Sequence, residues 1–103
     1  MNNVANPIAL SCRLSKPELR KHKEEVVQVL KNEVKQKNKL KNGYEYTFVD
    51  SDEVLEQLFQ FLKIERQCCP FFEFIVNVSS GEIHLAITGP EGTTEFIEYE
   101  LEL

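Results

Sequence analysis

The sequence lacks a surplus of basic residues. Its 12 lysines and arginines are outnumbered by 17 aspartates and glutamates, which leaves a formal net charge of −5. A protein that binds the nucleic-acid backbone needs a basic surface, so this balance argues against a nucleic-acid partner. The positive residues are concentrated between Lys16 and Lys41, a pattern typical of a solvated helix face and a lysine-protected edge strand.

Long apolar runs are also missing. No stretch approaches the ~18 to 20 consecutive apolar residues of a membrane-spanning helix, so no membrane partner is expected. The segment from Met1 to Pro7 has neither the basic start nor the apolar run of a secretory signal peptide. We therefore expect a cytoplasmic protein.

Cysteine is scarce, and its spacing is informative. The chain has three cysteines, an odd number without a repeated spacing, which does not suggest a disulfide framework. No two of them are separated by two residues, so a thioredoxin-type exchange site is not indicated. In a reducing compartment we expect Cys12, Cys68 and Cys69 to be thiols.

The composition and the residue pattern predict one globular domain spanning residues 1–103. Hydrophobic residues make up 42% and charged residues 28% of the chain, and no repeat, low-complexity tract or linker divides it. Alternating apolar residues predict a first strand over 7–14, with Cys12 on its core side. Ser15, Pro17 and Glu18 then signal the start of a helix that ends near Asn32.

A hairpin follows over 34–40 and 44–49, and two registers are open. A two-residue Asn42-Gly43 turn places Tyr44 opposite Lys41. A three-residue loop with Gly43 in the left-handed conformation places Tyr44 opposite Leu40 and puts Val34 on the same face. We favour the second register because it gathers the apolar residues on one face.

The second half predicts a helix and another hairpin. The helix begins after Asp50 or Ser51 and ends by about Cys69, because Pro70 disfavours the helical conformation of the residue before it. Strands over 72–78 and 83–87 pair across a two-residue turn, which places Val76 opposite Leu85 and Asn77 opposite His84. A turn over 88–92 leads into a short last helix.

The fold class is therefore α+β. The first six elements have the βαββαβ order of a ferredoxin-like core. A further antiparallel strand and a short C-terminal helix extend it, and two helices cover one face of the sheet.

Reactive side chains are concentrated at the end of the second helix. Helical spacing places Glu65, Cys68 and Cys69 on one stripe with apolar residues that face the core. A buried carboxylate needs a partner or a ligand, and we expect Arg13, at the end of the first strand, to be that partner.

Two adjacent thiols are suited to a soft metal, particularly with a third sulfur. In a ferredoxin-like sheet the first and fourth strands are neighbours, which would bring Cys12 towards Cys68 and Cys69. Glu65 or His84 could complete a zinc-like ligand set, although His84 is expected on the opposite sheet face. Free cysteines are also common as small buried apolar residues, so simple packing stays open for all three.

Three motifs carry a resemblance to a known family. The chain resembles small bacterial proteins that share a Cys-Arg-Leu-Ser/Thr strand end, a Glu-Arg-x-Cys-Cys-Pro-Phe helix end and a Gly-Pro-Glu-Gly turn. The matching segments here are 12–15, 65–71 and 89–92. The resemblance implies a common fold and, because that family has no established activity, transfers no catalytic role. It favours a joint site of Cys12 with the cysteine pair.

These observations predict a binding protein in which Cys12, Cys68 and Cys69 hold a soft metal or metalloid ion, or a small thiol-reactive molecule. Glu65 and Arg13 would be charge partners of this cluster. The alternative is an interaction or dimerisation module whose cysteines only pack, with a homodimer as one form. A thiol-dependent enzyme is a third hypothesis, which the helix C-terminus and Glu65 disfavour because both raise the pKa of a thiol.

Overall fold

The computed structural model describes residues 17–101 and residue 103. In chain order these form α1 (Pro17–Glu33), β1 (Val34–Leu40), β2 (Gly43–Val49), α2 (Asp52–Cys68), β3 (Glu73–Ser79), β4 (Glu82–Thr88), α3 (Thr93–Phe96) and the π-helical turn α4 (Ile97–Leu101). The strand predicted over 7–14, with Cys12 and Arg13, lies outside the described residues. The α+β class is confirmed for the described part, in which no helix has the length and apolarity of a membrane span.

The four strands form one antiparallel sheet in the order β1-β2-β4-β3. The chain thus runs through two helix–hairpin units whose second strands, β2 and β4, meet at the centre. A ferredoxin-like sheet would insert the first predicted strand at this place, between the two hairpins. Because β2 pairs directly with β4, the ferredoxin-like order is not confirmed.

One face of the sheet carries the core. The β2–β4 register places large side chains opposite one another, with Tyr46 facing Leu85 and Phe48 facing Ile83. All four are fully buried. The helices α1 and α2 pack on this face, and their buried residues are Val26, Leu30, Val54, Leu58, Phe61, Ile64, Glu65 and Cys68.

The second hairpin has the predicted register. Val76 pairs with Leu85 and Asn77 with His84, around the two-residue turn. Ser80 and Gly81 have φ angles of 53° and 77°, the left-handed pair that a type I′ turn requires. The predicted start of α2 is also confirmed, since the Ser51 side chain accepts a hydrogen bond from the N–H of Val54.

Both predicted registers of the first hairpin are wrong. Leu40 pairs with Gly43 around a Lys41-Asn42 turn, so Tyr44 lies opposite Lys39. A bulge between Val34 and Gln36 then shifts the pairing by one residue, so that Val34 lies opposite Phe48. The reason is tertiary, because Gly43 is the first residue of β2 and pairs with Thr88 of β4. Its N–H also donates to the Thr94 hydroxyl at 2.7 Å.

Gly43 should be the glycine least tolerant of substitution. A Cβ there would lie 1.9 Å from the carbonyl oxygen of Ile87, whereas a Cβ on Gly81 would meet nothing within 4 Å. We expect Gly43→Ala to lower the free energy of unfolding by about 3 kcal/mol. Gly81→Ala should cost only roughly 1 to 2 kcal/mol, for its left-handed φ. Urea unfolding of the two variants measures this, and equal losses would contradict the register.

Candidate thiol and carboxylate site

The end of α2 is built to turn both cysteines towards the core. The N–H of Cys69 still donates to the carbonyl of Glu65 at 2.7 Å, which completes the last helical turn. The N–H of Phe72 then donates to the carbonyl of Cys69 at 3.1 Å, closing a β-turn with Pro70 at its second position. Phe71 and Phe72 pack edge to face and both contact Phe96, so aromatic packing holds the turn in place.

Three potential ligands converge at this helix end. One carboxylate oxygen of Glu65 and the sulfurs of Cys68 and Cys69 lie within 4.8 Å of one another. The Cys69 thiol points at the Cys68 sulfur, with 3.6 Å between the two sulfur atoms. All three side chains are buried, with exposed fractions of 0% or 1%. The predicted stripe of Glu65, Cys68 and Cys69 is therefore one compact cluster in the described part of the chain.

The charge partner of Glu65 among the described residues is Lys23 of α1. Its Nζ lies 3.1 Å from Oε2 of Glu65 and 3.8 Å from the Cys68 sulfur. Arg13, the partner expected from the sequence, lies outside the described residues. The sequence did contain a signal for Lys23, which stands one helical turn before the buried Val26 on the side of α1 that faces α2.

The buried surroundings of the cluster disfavour the ionised forms of Glu65 and Cys69. Within the described part of the chain, neither oxygen of the Glu65 carboxylate has a hydrogen bond of normal geometry, although the Lys23 ammonium is close. Burial raises the pKa of Glu65, and the charge of Lys23 opposes that rise. Burial is also the largest reason why the pKa of Cys69 rises to about 12, and the Glu65 charge adds to it. A thiol with so high a pKa is not an activated nucleophile.

The two adjacent cysteines are in different chemical states. Cys68 is disulfide-bonded, whereas Cys69 carries a free thiol. This differs from the expectation that both are thiols. Cys12, the third cysteine of the sequence, lies outside the described residues. The 3.6 Å separation therefore places a thiol directly beside a disulfide sulfur.

A cavity of about 280 Å³ opens beside the cluster, between α1 and the C-terminal turn α4. Lys23, Val27, Glu100 and Leu101 are among the residues that line it. Lys23 connects the cavity with the cluster, because it lines the first and contacts Glu65 and Cys68 of the second. Its side chain is 14% exposed. A small ligand that entered the cavity would meet Lys23 before it met Glu65 or the sulfurs.

His84 does not belong to this site. It lies on the sheet face opposite the core, where Nδ1 is 3.2 Å from the Thr47 hydroxyl and Nε2 is 3.2 Å from a Glu82 oxygen. The second oxygen of Glu82 accepts from Lys35. The prediction that His84 points away from the cysteines is confirmed.

The chain was compared with protein-family models, with curated proteins and with solved structures, and none of them matches it. The roles of Glu65, Lys23 and the cysteines are therefore argued from their own geometry.

The buried carboxyl predicts a specific dependence of stability on pH. Because folding raises the pKa of Glu65, the unfolded chain loses this proton first as pH rises. Below the ordinary glutamate pKa of about 4.3, Glu65 is protonated in both states and the pKa difference does not affect stability. As pH rises above this value, the folded state becomes progressively less stable, until the pH passes the raised pKa. We expect the stability of Glu65→Gln relative to wild type to increase with pH across this window.

Urea unfolding at a series of pH values, with a chelator present, measures this difference. The slope is the readout, because the ion pair with Lys23 is already included in the shifted pKa of Glu65, whereas any change of packing in the variant adds an offset that does not depend on pH. Glu56→Gln makes the same substitution at an exposed position of the same helix and is the matched control for the chemical change itself. A flat difference for Glu65→Gln would show that the carboxyl titrates as it does in the unfolded chain.

Proposed function

We propose that this protein binds a soft metal or metalloid ion, or a small thiol-reactive ligand, at the Glu65/Cys68/Cys69 cluster. The observation that carries the proposal is the buried Glu65 carboxylate, which lies beside two sulfurs and accepts no hydrogen bond of normal geometry from residues 17–101 or 103. A carboxylate in such a place needs a positive partner, and soft cations prefer sulfur ligands nearby. A cytoplasmic location, where thiols stay reduced, is part of the proposal.

The distances suit such an ion. Two sulfurs that bind one tetrahedral zinc ion at about 2.3 Å lie about 3.8 Å apart. The sulfurs of Cys68 and Cys69 are 3.6 Å apart, and a Glu65 oxygen lies within 4.8 Å of both. Little movement would bring the three ligands onto one centre once both sulfurs are reduced.

Lys23 supplies the positive charge beside Glu65. Its ammonium compensates Glu65 and contacts the Cys68 sulfur, and its side chain lines the adjoining cavity. An incoming cation would take over this compensation and displace the flexible lysine side chain towards the cavity. Lys23 thus offsets the charge of Glu65 and marks the route by which a ligand would enter.

Cys12 is proposed as the third sulfur, with Arg13 as a further charge partner. The sequence has three cysteines, Cys69 is free, and Cys68 is disulfide-bonded. We therefore assign Cys12 as the proposed partner of Cys68. Two electrons and two protons, supplied by a dithiol that becomes a disulfide, would convert this pair into two thiols. The site would then have a reduced form with three sulfur ligands and an oxidised form with one.

The reduced protein should bind one cadmium ion per chain. Cadmium(II) is a soft probe whose thiolate bonds absorb in the ultraviolet, so a titration reports both stoichiometry and ligand type. We expect Cys69→Ser to weaken cadmium binding and to reduce that absorption at equimolar metal, because one of the adjacent sulfurs is gone. Glu65→Gln should weaken binding by about tenfold or more, since the carboxylate no longer offsets the charge.

Two controls accompany the titration. His84→Ala, which removes a potential ligand from the opposite sheet face, should bind cadmium as wild type does. Magnesium, a hard cation that prefers oxygen ligands, should not compete. If the reduced wild type takes up no cadmium, or if Cys69→Ser binds it equally well, the proposed site is wrong.

Metal binding should depend on the oxidation state of Cys68. The oxidised protein should give no cadmium absorption, and a dithiol should restore it. Alkylation of the oxidised protein in denaturant should label Cys69 alone, whereas the oxidised Cys12→Ser variant should label Cys68 and Cys69. Mass spectrometry counts the labels. Unchanged labelling in Cys12→Ser would remove Cys12 from the site, and equal cadmium binding by the oxidised form would refute the dependence on oxidation.

A further inference from the structure

The edge of the sheet formed by β3 is chemically unusual. Among the described residues, β3 pairs with β4 on one side and with no strand on the other. From Phe74 to Ser79 it carries no charged residue. Val76 and Val78, although on the core-facing side of the sheet, are 37% and 50% exposed. An uncharged, apolar strand edge of this kind is a template for pairing with another strand.

The opposite edge of the same sheet is protected. The strand β1 carries Lys35, Lys37 and Lys39, and a bulge interrupts its register. Lysines and bulges are the devices by which edge strands avoid pairing with other chains. Their presence on β1 and absence from β3 indicate that the two edges have different partners: solvent for β1, and another strand for β3.

The free backbone groups of β3 can be assigned from the hairpin. In a two-residue turn, the flanking residues Ser79 and Glu82 exchange hydrogen bonds with each other. Alternation along the strand then directs the N–H and C=O groups of Asn77 and Ile75 towards β4 as well. The corresponding groups of Phe74, Val76 and Val78 point to the free edge.

We propose that the β3 edge pairs antiparallel with β3 of a second copy of this chain, around a two-fold axis at Val76. This register joins Val76 to its own counterpart and Phe74 to Val78 of the second copy. It uses all three outward-facing residues as hydrogen-bonded pairs and places their apolar side chains on one face. No like charges face each other, because the one acidic residue of the strand, Glu73, lies opposite Ser79.

The same pattern explains why assembly would stop at two copies. The four described strands leave one unprotected edge in each chain, and pairing around a two-fold axis uses the edges of both copies. The outer edges of the resulting eight-stranded sheet would be the two lysine-bearing β1 strands, which resist further addition. The metal site lies at the end of α2, so this inference does not depend on the proposed function.

Sedimentation velocity of the full chain under reducing conditions, over a wide concentration range, tests the dimer. Wild type should become a dimer as concentration rises. Val76→Lys places two ammonium groups against each other at the axis and should sediment as a monomer throughout. Val49→Lys makes the same substitution at a 57% exposed position of β2 and should dimerise as wild type does.

A charge-exchange experiment keeps the test independent of folding defects. Val76→Glu alone should also be monomeric, and an equimolar mixture with Val76→Lys should restore a dimer containing one chain of each. A monomeric wild type at every concentration overturns the proposal and would favour the segment 7–14 of the same chain as the occupant of the edge. A dimer of Val76→Lys alone, an assembly larger than two, or no rescue in the mixture overturns it as well.

Discussion

The burial of one carboxylate beside one lysine is the constraint on which the functional end of this molecule depends. Removing either charge from water costs several kcal/mol, and the pair repays that cost only when its geometry is maintained. Glu65 is at the end of α2 and Lys23 is in the first half of α1, so their contact fixes how the two helices meet. The same contact brings the Lys23 ammonium to the Cys68 sulfur and to the wall of the cavity. A well-packed pair of apolar side chains could replace the Glu65–Lys23 ion pair at little loss of stability. The presence of this ion pair beside two sulfurs therefore supports the proposed ligand site better than a role in stability alone.

The sheet provides the surface on which α1 and α2 pack. The direct pairing of β2 with β4 aligns two rows of large buried side chains, over which both helices pack. The turn at Pro70 then reverses the chain within four residues, so that β3 begins immediately after the cysteine pair. At the same end of the sheet, where Gly43 and Glu73 both pair with Thr88, the Thr94 hydroxyl accepts a hydrogen bond from the N–H of Gly43 and thereby attaches the C-terminal turn to the first hairpin. Local turn chemistry and long-range pairing therefore act together to close the core around Glu65.

The chemistry of the cysteines favours binding over catalysis. A nucleophilic thiol needs surroundings that stabilise its thiolate, whereas burial and the neighbouring carboxyl raise the pKa of Cys69. A bound cation reverses this situation, because it stabilises two thiolates and a carboxylate at once and releases their protons. For the proposed metal binding, the disulfide on Cys68 would add a second level of control, since a sulfur that is bonded to another sulfur cannot offer a thiolate to a metal. One small cluster can thus combine ligand binding with sensitivity to oxidation, without any activated nucleophile.

The sequence by itself determined what depends on short-range pattern. Period-two alternation and the Ser80-Gly81 turn specified the register of the second hairpin, because shifting it by one position would turn Val76 and Leu85 away from the core. The bounds of both strands differ from the predicted ones by one residue. Helical spacing likewise placed Glu65, Cys68 and Cys69 on one stripe. Only the tertiary structure decided the register of the first hairpin, because Gly43 pairs with Thr88 of β4 and donates a hydrogen bond to Thr94 as well as ending its own turn. It also decided the order of the strands and the choice of Lys23 as the partner of Glu65. The strand order and the first hairpin arise from contacts between residues far apart in the chain, whose energies leave no periodic trace in the sequence. Helical spacing does place Lys23 on the side of α1 that faces α2, but it does not specify which residue of α2 the lysine meets.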